Sequence, residues 1–328
     1  MNALIAGLLA TLALGSTAFA EESNTSTPAT ATQSSTVDVS KLKDEAQAEE
    51  SSEKITNARL AAESGSKSKY SMKFNISYTG GSVEQPFDKY RPNYRGTPGT
   101  LAETSLGGSI AFAYRIDQET ALRFGTGISL RTPFHNKDLE VVNNVNEKGR
   151  KLLNVSSPYV EWNKTYRVGN IMLSPSVDAS LATDQYYTET VGLLGSTSAS
   201  LTAVTEIENS GWQPGITGVI DLAGYKDNDL LDANGDSRYQ YGIGLYPFLE
   251  YAFNDVYSFR TLFGYFNYSH YSTQNTALDF TQDTSYQSVG LGIAPMKGVY
   301  FYPNLQFVPD DVRGDRTNIA VSMTLNAF

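Results

Sequence analysis

The chain has 328 residues, a net charge of −10 and no cysteine. Those facts exclude disulfide staples, zinc–thiolate centres and thiol nucleophiles, and they argue against a general nucleic-acid binder, which needs a basic surface for phosphate. With 21 tyrosines, 15 phenylalanines and 27 glycines at a mean hydropathy of −0.31, the composition suits alternating strands better than an all-apolar core.

Residues 1–20 read as an export signal. An apolar run over 3–14 leads to Ala18-Phe19-Ala20, the small-x-small pattern of a cleavage site, and Glu21 and Glu22 follow. No Lys or Arg precedes the run. A membrane anchor is the alternative, disfavoured because the run is short and lacks a flanking positive charge. Residues 21–40 are rich in Ser and Thr and have no periodic apolar face, the composition of a disordered linker. Residues 42–63 hold strong helix formers with only Leu42, Ile55 and Leu60 as apolar anchors, which makes a marginal, mostly polar helix. The periplasmic segment 21–66 therefore reads first as a tether, and second as a piece that enters the barrel or pairs as a coiled coil.

From residue 67 the pattern changes to period two, which places alternate side chains on opposite faces of a sheet. Tyr70, Met72, Phe74, Ile76 and Tyr78 share one face of the first strand, against Ser71, Lys73, Asn75, Ser77 and Thr79. The second strand, 105–115, and the third, 122–131, repeat the pattern. Further strands are expected near 159–164, 171–181, 197–207, 216–222, 241–253, 257–265, 289–293, 299–307 and 319–325. Pro175, Pro247 and Pro303 fall inside three of them and count against an unbroken ladder, because proline has no donor.

Three features separate a membrane barrel from a soluble sandwich. Connections alternate short and long, the order of an up-and-down outer-membrane barrel. The apolar faces carry no charge. The opposite faces are mostly Gly, Ser, Ala, Thr and Asn, which suits an enclosed lumen. Aromatic residues such as Tyr70, Tyr78, Trp162 and Tyr257 gather at strand ends, as in interfacial girdles. The expected fold is all-β: a closed antiparallel up-and-down transmembrane β-barrel of about 12 strands over 67–328.

The chain ends in Phe328 after the last amphipathic strand, and it shares the outward phase if a bulge falls near Asn326. A terminal Phe in this setting resembles the assembly signal of Gram-negative outer-membrane β-barrel proteins. Residues 67–328 resemble that porin-like class in architecture. The resemblance implies an outer-membrane location, insertion by the barrel assembly machinery, and lipid and lipopolysaccharide as surroundings.

Parity places charges of both signs inside: Lys73, Arg115, Arg123, Arg131 and Arg260 against Glu161, Asp178, Asp221 and Glu250. Small inward residues, including Gly125, Gly242, Gly244, Gly290 and Gly292, leave space. Inward Tyr246, Phe248, Phe266, Tyr300 and Tyr302 narrow it. These residues fit a narrow channel for small polar solutes or ions, with the charges setting selectivity. The competing readings are a lumen sealed by an ion-pair network and a structural barrel acting through its outer loops. No cofactor is called for.

Two smaller patterns remain. His270-Tyr271-Ser272 resembles the His-x-Ser of outer-membrane phospholipase A and barrel lipid A deacylases, but Thr273-Gln274 replace the Asn-Gly of that family. Parity also puts His270 on the inward, Arg260 face. Asp227, Asp229, Asp232, Asn234 and Asp236 form an acidic outer loop. Its match to a calcium loop stops early, because Ser237 stands where Gly is required and Ile243 where the bidentate Glu belongs.

Overall fold

The computed structural model describes residues 55–93, 101–135, 137, 139–141, 144–145 and 150–327. The export signal, the linker, the helix before residue 55 and Phe328 lie outside the described residues.

Twelve staves make the wall: β1 Tyr70–Ser82, β2 Ser105–Arg115, β3 Thr120–Arg131, β4 Leu153–Lys164, β5 Ile171–Leu181, β6 Leu193–Thr205, β7 Trp212–Tyr225, β8 Tyr239–Ala252, β9 Tyr257–Gly264 with Phe266–Tyr271, β10 Tyr286–Met296, β11 Val299–Phe307 and β12 Asn318–Ala327. A short extension, Tyr166–Val168, continues β4 after Thr165. Each stave pairs antiparallel with the next, and β12 returns to pair with β1 from Met72↔Ala327 to Ser82↔Asn318. The circuit closes, as it must where lipid offers no partner to an open edge.

The wall faces hydrocarbon. Phe112, Phe124, Ile220 and Leu291 point outward and are 46, 50, 52 and 48 % exposed. Ile220 lies well inside β7. Replacing it with Arg is expected to cost about 2–4 kcal/mol of folding stability in bilayers. Denaturant unfolding in vesicles measures this, and an unperturbed midpoint would place that face elsewhere.

All three in-strand prolines are accommodated at gaps in a ladder. Pro175 pairs with Leu201 on β6, but its β4 side falls between Asn163↔Ser176 and Tyr166↔Leu173. Pro247 pairs with Ile216 on β7, and its β9 side falls between Phe248↔Leu262 and Leu245↔Phe266. Pro303 pairs with Val321 and faces β10 between Gly290↔Asn304 and Ile293↔Phe301. A missing N–H is harmless where no ladder bond is due.

The gap in β9 corrects two expectations. Five residues of β9, Leu262 to Phe266, lie opposite four of β8, Leu245 to Phe248, so Tyr265 is an extra residue and side-chain parity flips after it. Phe266 consequently points outward, 48 % exposed, and does not narrow the lumen. His270 moves to the outer face as well, paired with Tyr241. A second bulge, on β4, places Ser157 at φ 55° and returns Val155 and Leu153 to the outside. The β12 ladder, by contrast, runs without a bulge through Asn326↔Lys73 to Ala327, so the condition under which Phe328 would share the outward phase is not met at Asn326.

Candidate functional site

Residues 57–65 spell a helix start and stop: Asn57, then Ala58–Ser64 with good helix formers, then Gly65. They form α1, Ala58–Ser64. The Asn57 side chain accepts from the Leu60 N–H at 2.9 Å, and Gly65 ends the helix at φ 91°, a conformation that favours glycine.

This helix lies inside the barrel, across the mouth that carries the short turns. Leu60 is fully buried and Ile55 nearly so, clustered with inward Met172, Val204 and Phe248; Ala62 packs on Tyr300 and Tyr302. Its last-turn carbonyls, which have no partner within a helix, are met by the wall. Asn326 donates to Ala62 O, Lys73 Nζ (3.1 Å) and Arg123 Nη2 (2.6 Å) donate to Glu63 O, and Arg115 Nη2 donates to Ser64 O at 3.1 Å. At the other end Glu250 gathers three groups. Asn57 Nδ2 donates to it at 2.5 Å, Arg59 Nε at 3.1 Å, and Arg260 forms an ion pair at 2.8 Å. Arg59 also bridges to Glu63 at 3.0 Å. Thr56 hydrogen-bonds Glu206, which pairs with Arg167 at 2.7 Å.

Geometry decides how much this blocks. Twelve strands about 4.8 Å apart, tilted about 40°, enclose a backbone radius of about 12 Å. A helix with its side chains is about 10–12 Å across. Together with the inward side chains, α1 fills most of that cross-section.

All the inward charges expected from parity are on the inner face. They divide into two groups. Lys73, Arg115, Arg123, Glu250 and Arg260 hold α1, and Glu161 pairs with Arg123. Arg131 pairs with Glu103 near the opposite mouth. Asp178 and Asp221 stand apart from the helix, on the wall of β5 and β7, among hydroxyl pairs such as Ser176–Ser200 (2.8 Å) and Thr202–Thr217 (2.9 Å). Asp221 accepts from the Tyr239 hydroxyl.

The inward glycines do a different job from the one expected. Several of them seat rings and do not leave empty space. A Cβ on Gly125 would meet the Tyr159 ring at 2.6 Å, on Gly244 the Tyr246 ring at 2.6 Å, and on Gly215 the Phe248 ring at 2.3 Å. Tyr159, Tyr246 and Phe248 therefore lie against the wall. Elsewhere the inner face keeps unpaired acceptors: Asn75, Asn267, Asn304, Gln306 and Asn318 each hold a buried side-chain oxygen with no protein donor.

The two smaller patterns resolve as follows. His270 stacks on Tyr241 at 4.4 Å and its Nδ1 contacts Asp279 O at 2.7 Å. The Ser272 hydroxyl donates to Leu230 O, and the Arg238 N–H donates to it at 3.0 Å. No hydrogen bond joins His270 to Ser272 among the described residues. In the acidic loop, Asp232 Oδ1 accepts from the Asn234 and Asp236 N–H groups at 2.8 and 3.0 Å. Asp227 accepts from the Asp229 N–H at 3.0 Å and pairs with Arg238, whose hydrogen bond holds the Asp227 carboxyl below the usual range. Among the described residues no three potential ligands converge on a metal position.

No family model matches the chain, and no curated protein does. Among solved structures it is similar to an outer membrane channel from Pseudomonas putida F1, at 13 % identity over 80 % of this chain and 97 % of that one, with a TM-score of 0.49. It is also similar to the NanC porin, at 10 % identity over 78 % and 98 %, TM-score 0.42. The P. putida toluene transporter TodX matches at 11 % identity over 79 % of each chain, TM-score 0.41. At such identities nothing about solute or mechanism passes from these proteins to this chain.

Proposed function

We propose that this protein is an outer-membrane channel for passive passage of small polar solutes or ions, narrowed at its periplasmic mouth by α1. The short-turn mouth is periplasmic in barrels of this kind, which agrees with a cleaved signal at 1–20 and a leader entering from that side. Insertion by the barrel assembly machinery, and lipopolysaccharide against the outer leaflet, belong to the same reading. The observation that carries it is the division of the inner face. A seal would pair its charges throughout, but here the inner-face ion pairs gather at the helix end, with Arg131–Glu103 near the opposite mouth, and leave the wall between them without one among the described residues. Beyond it the wall of β5 to β7 keeps part-exposed Ser174, Ser176, Asp178, Thr217 and Asp221 facing inward.

Planar-bilayer recording of the purified full chain tests the proposal. Small, stable conductance steps are expected. A chain that migrates as a folded, heat-modifiable barrel yet gives no steps would leave the sealed, loop-acting barrel as the better account.

A further inference from the structure

We infer that the wall carries a cation path: one line of cross-strand neighbours, Glu161, Asp178, Asp221 and Asp283, that binds and passes small inorganic cations. The inference rests on the channel reading and gives it a sign.

Strand register draws the line. Glu161 on β4 pairs with Asp178 on β5. Asp178 pairs with Ser198 on β6, and Ser198 with Asp221 on β7. Asp221 pairs with Gly242 on β8, and Gly242 with Ser269 on β9. The Ser269 hydroxyl donates to Asp283 at 3.2 Å. Five steps of about 4.8 Å make about 24 Å along the wall. Strands tilted about 40° turn that into a climb of about 15 Å along the barrel axis. The climb runs from mid-wall toward the long-loop mouth. Glu161 lies near the middle of β4 with its extension, and Ser269 near the long-loop end of β9.

Among the described residues, the acids on this line have no ion-pair partner once the helix is passed. Glu161 shares Arg123. Asp178 has neither hydrogen bond nor ion pair among the described residues. Asp221 has the Tyr239 hydroxyl, and Asp283 the Ser269 hydroxyl. A Cβ on Gly242 would lie 3.0 Å from Asp221 Oδ2, so that glycine makes room for the carboxylate to lie along the wall. The basic residues that might have neutralised the line are spent elsewhere. Lys73, Arg115 and Arg123 hold carbonyls at the end of α1, and Arg260 holds Glu250.

A second observation points to a ligand. Ser198 sits in register between Asp178 and Asp221, is 5 % exposed, and its hydroxyl has no hydrogen-bond partner among the described residues. Asn267, 6 % exposed and on the same inner face as Ser269, likewise keeps Oδ1 unpartnered. Carboxylate and hydroxyl oxygens along the line, with the Asn267 amide oxygen two residues from it on β9, are the donor set of hard cations. Sites spread along a wall bind weakly enough for an ion to leave each for the next. The same row repels anions.

The test is the zero-current potential of the full chain in planar bilayers under a tenfold KCl gradient. Potassium is expected to permeate at least about fivefold better than chloride. Asp178→Asn combined with Asp221→Asn, isosteric and neutral, is expected to bring that ratio close to one while heat-modifiable migration persists. Glu208→Gln, on an exposed turn off the line, leaves it unchanged. A ratio at or below one in the full chain, which needs no variant, overturns the path while leaving the channel standing. So does an unchanged ratio in a folded double variant. Absence of any conductance overturns the channel reading itself.

Discussion

Deleting residues 21–64 is expected to raise single-channel conductance on the order of threefold or more, because conductance follows the narrowest free section and α1, about 10–12 Å across, occupies most of it. The wall needs nothing from the helix to close, since its ladder runs from β1 round to β12 and back without α1. Heat-modifiable migration should therefore survive the deletion. Selectivity should change with conductance. Without the helix, Lys73 and Arg123 lose the Glu63 carbonyl and Arg115 the Ser64 carbonyl, so Lys73 faces the water of the mouth while Arg115 keeps Ser66 O and Gln118 O and Arg123 keeps Glu161. The Lys73 charge then opposes cations, and the permeability ratio falls toward anions. Recordings of the two chains side by side check both effects. Equal conductance would mean that α1 does not obstruct the path.

The parts of this fold that were legible are those in which hydrophobic amplitude is large. On β1 to β3 a bulky outward residue alternates with a small or charged inward one, and boundaries and faces follow. On β6 the outward set is Gly195, Thr197, Ala199, Leu201 and Ala203, with one bulky side chain among five. The inward set is Ser196, Ser198, Ser200 and Thr202. Both faces are small, so period two has almost no contrast, and the strand begins at Leu193, four residues before its expected start. On β9 the difficulty is the reverse. Phe263, Tyr265, Phe266 and Tyr268 are all aromatic, so a one-residue slip leaves no trace in composition, yet it moves Phe266 and His270 to the other face.

Inward charges were readable one strand at a time, because parity is local. Their alignment into a row was not, since register between staves depends on turns and bulges elsewhere. The helix shows the same limit. Asn57 and Gly65 mark its ends, but its location depends on partners far along the chain, Gln213 and Glu250, which lie 156 and 193 residues from Asn57. A polar segment with two apolar anchors offers no local sign that a barrel will enclose it.

Glu250 is where that enclosure is most vulnerable. It is 4 % exposed and receives Asn57, Arg59 and Arg260. Glu250→Gln keeps the shape but removes the charge, leaving Arg260 with no acid and Arg59 with Glu63 alone. Breaking a buried ion pair by removing one partner costs about 3–5 kcal/mol. Here the loss falls on helix docking, because the β8 ladder does not use the side chain. A loss of that size changes the docked-to-free ratio by about two to three and a half orders of magnitude. The expected result is a conductance near that of the deletion, with new protease cleavage within 55–66. Leu60→Ala separates charge from packing. It empties the pocket formed by Ile55, Met172, Val204 and Phe248, at about 2–5 kcal/mol, with every ion pair intact. If packing alone held the helix, Leu60→Ala would release it and Glu250→Gln would not. The three polar links converging on one buried carboxylate predict release by both, and by Glu250→Gln even at high salt, since a buried pair is screened little.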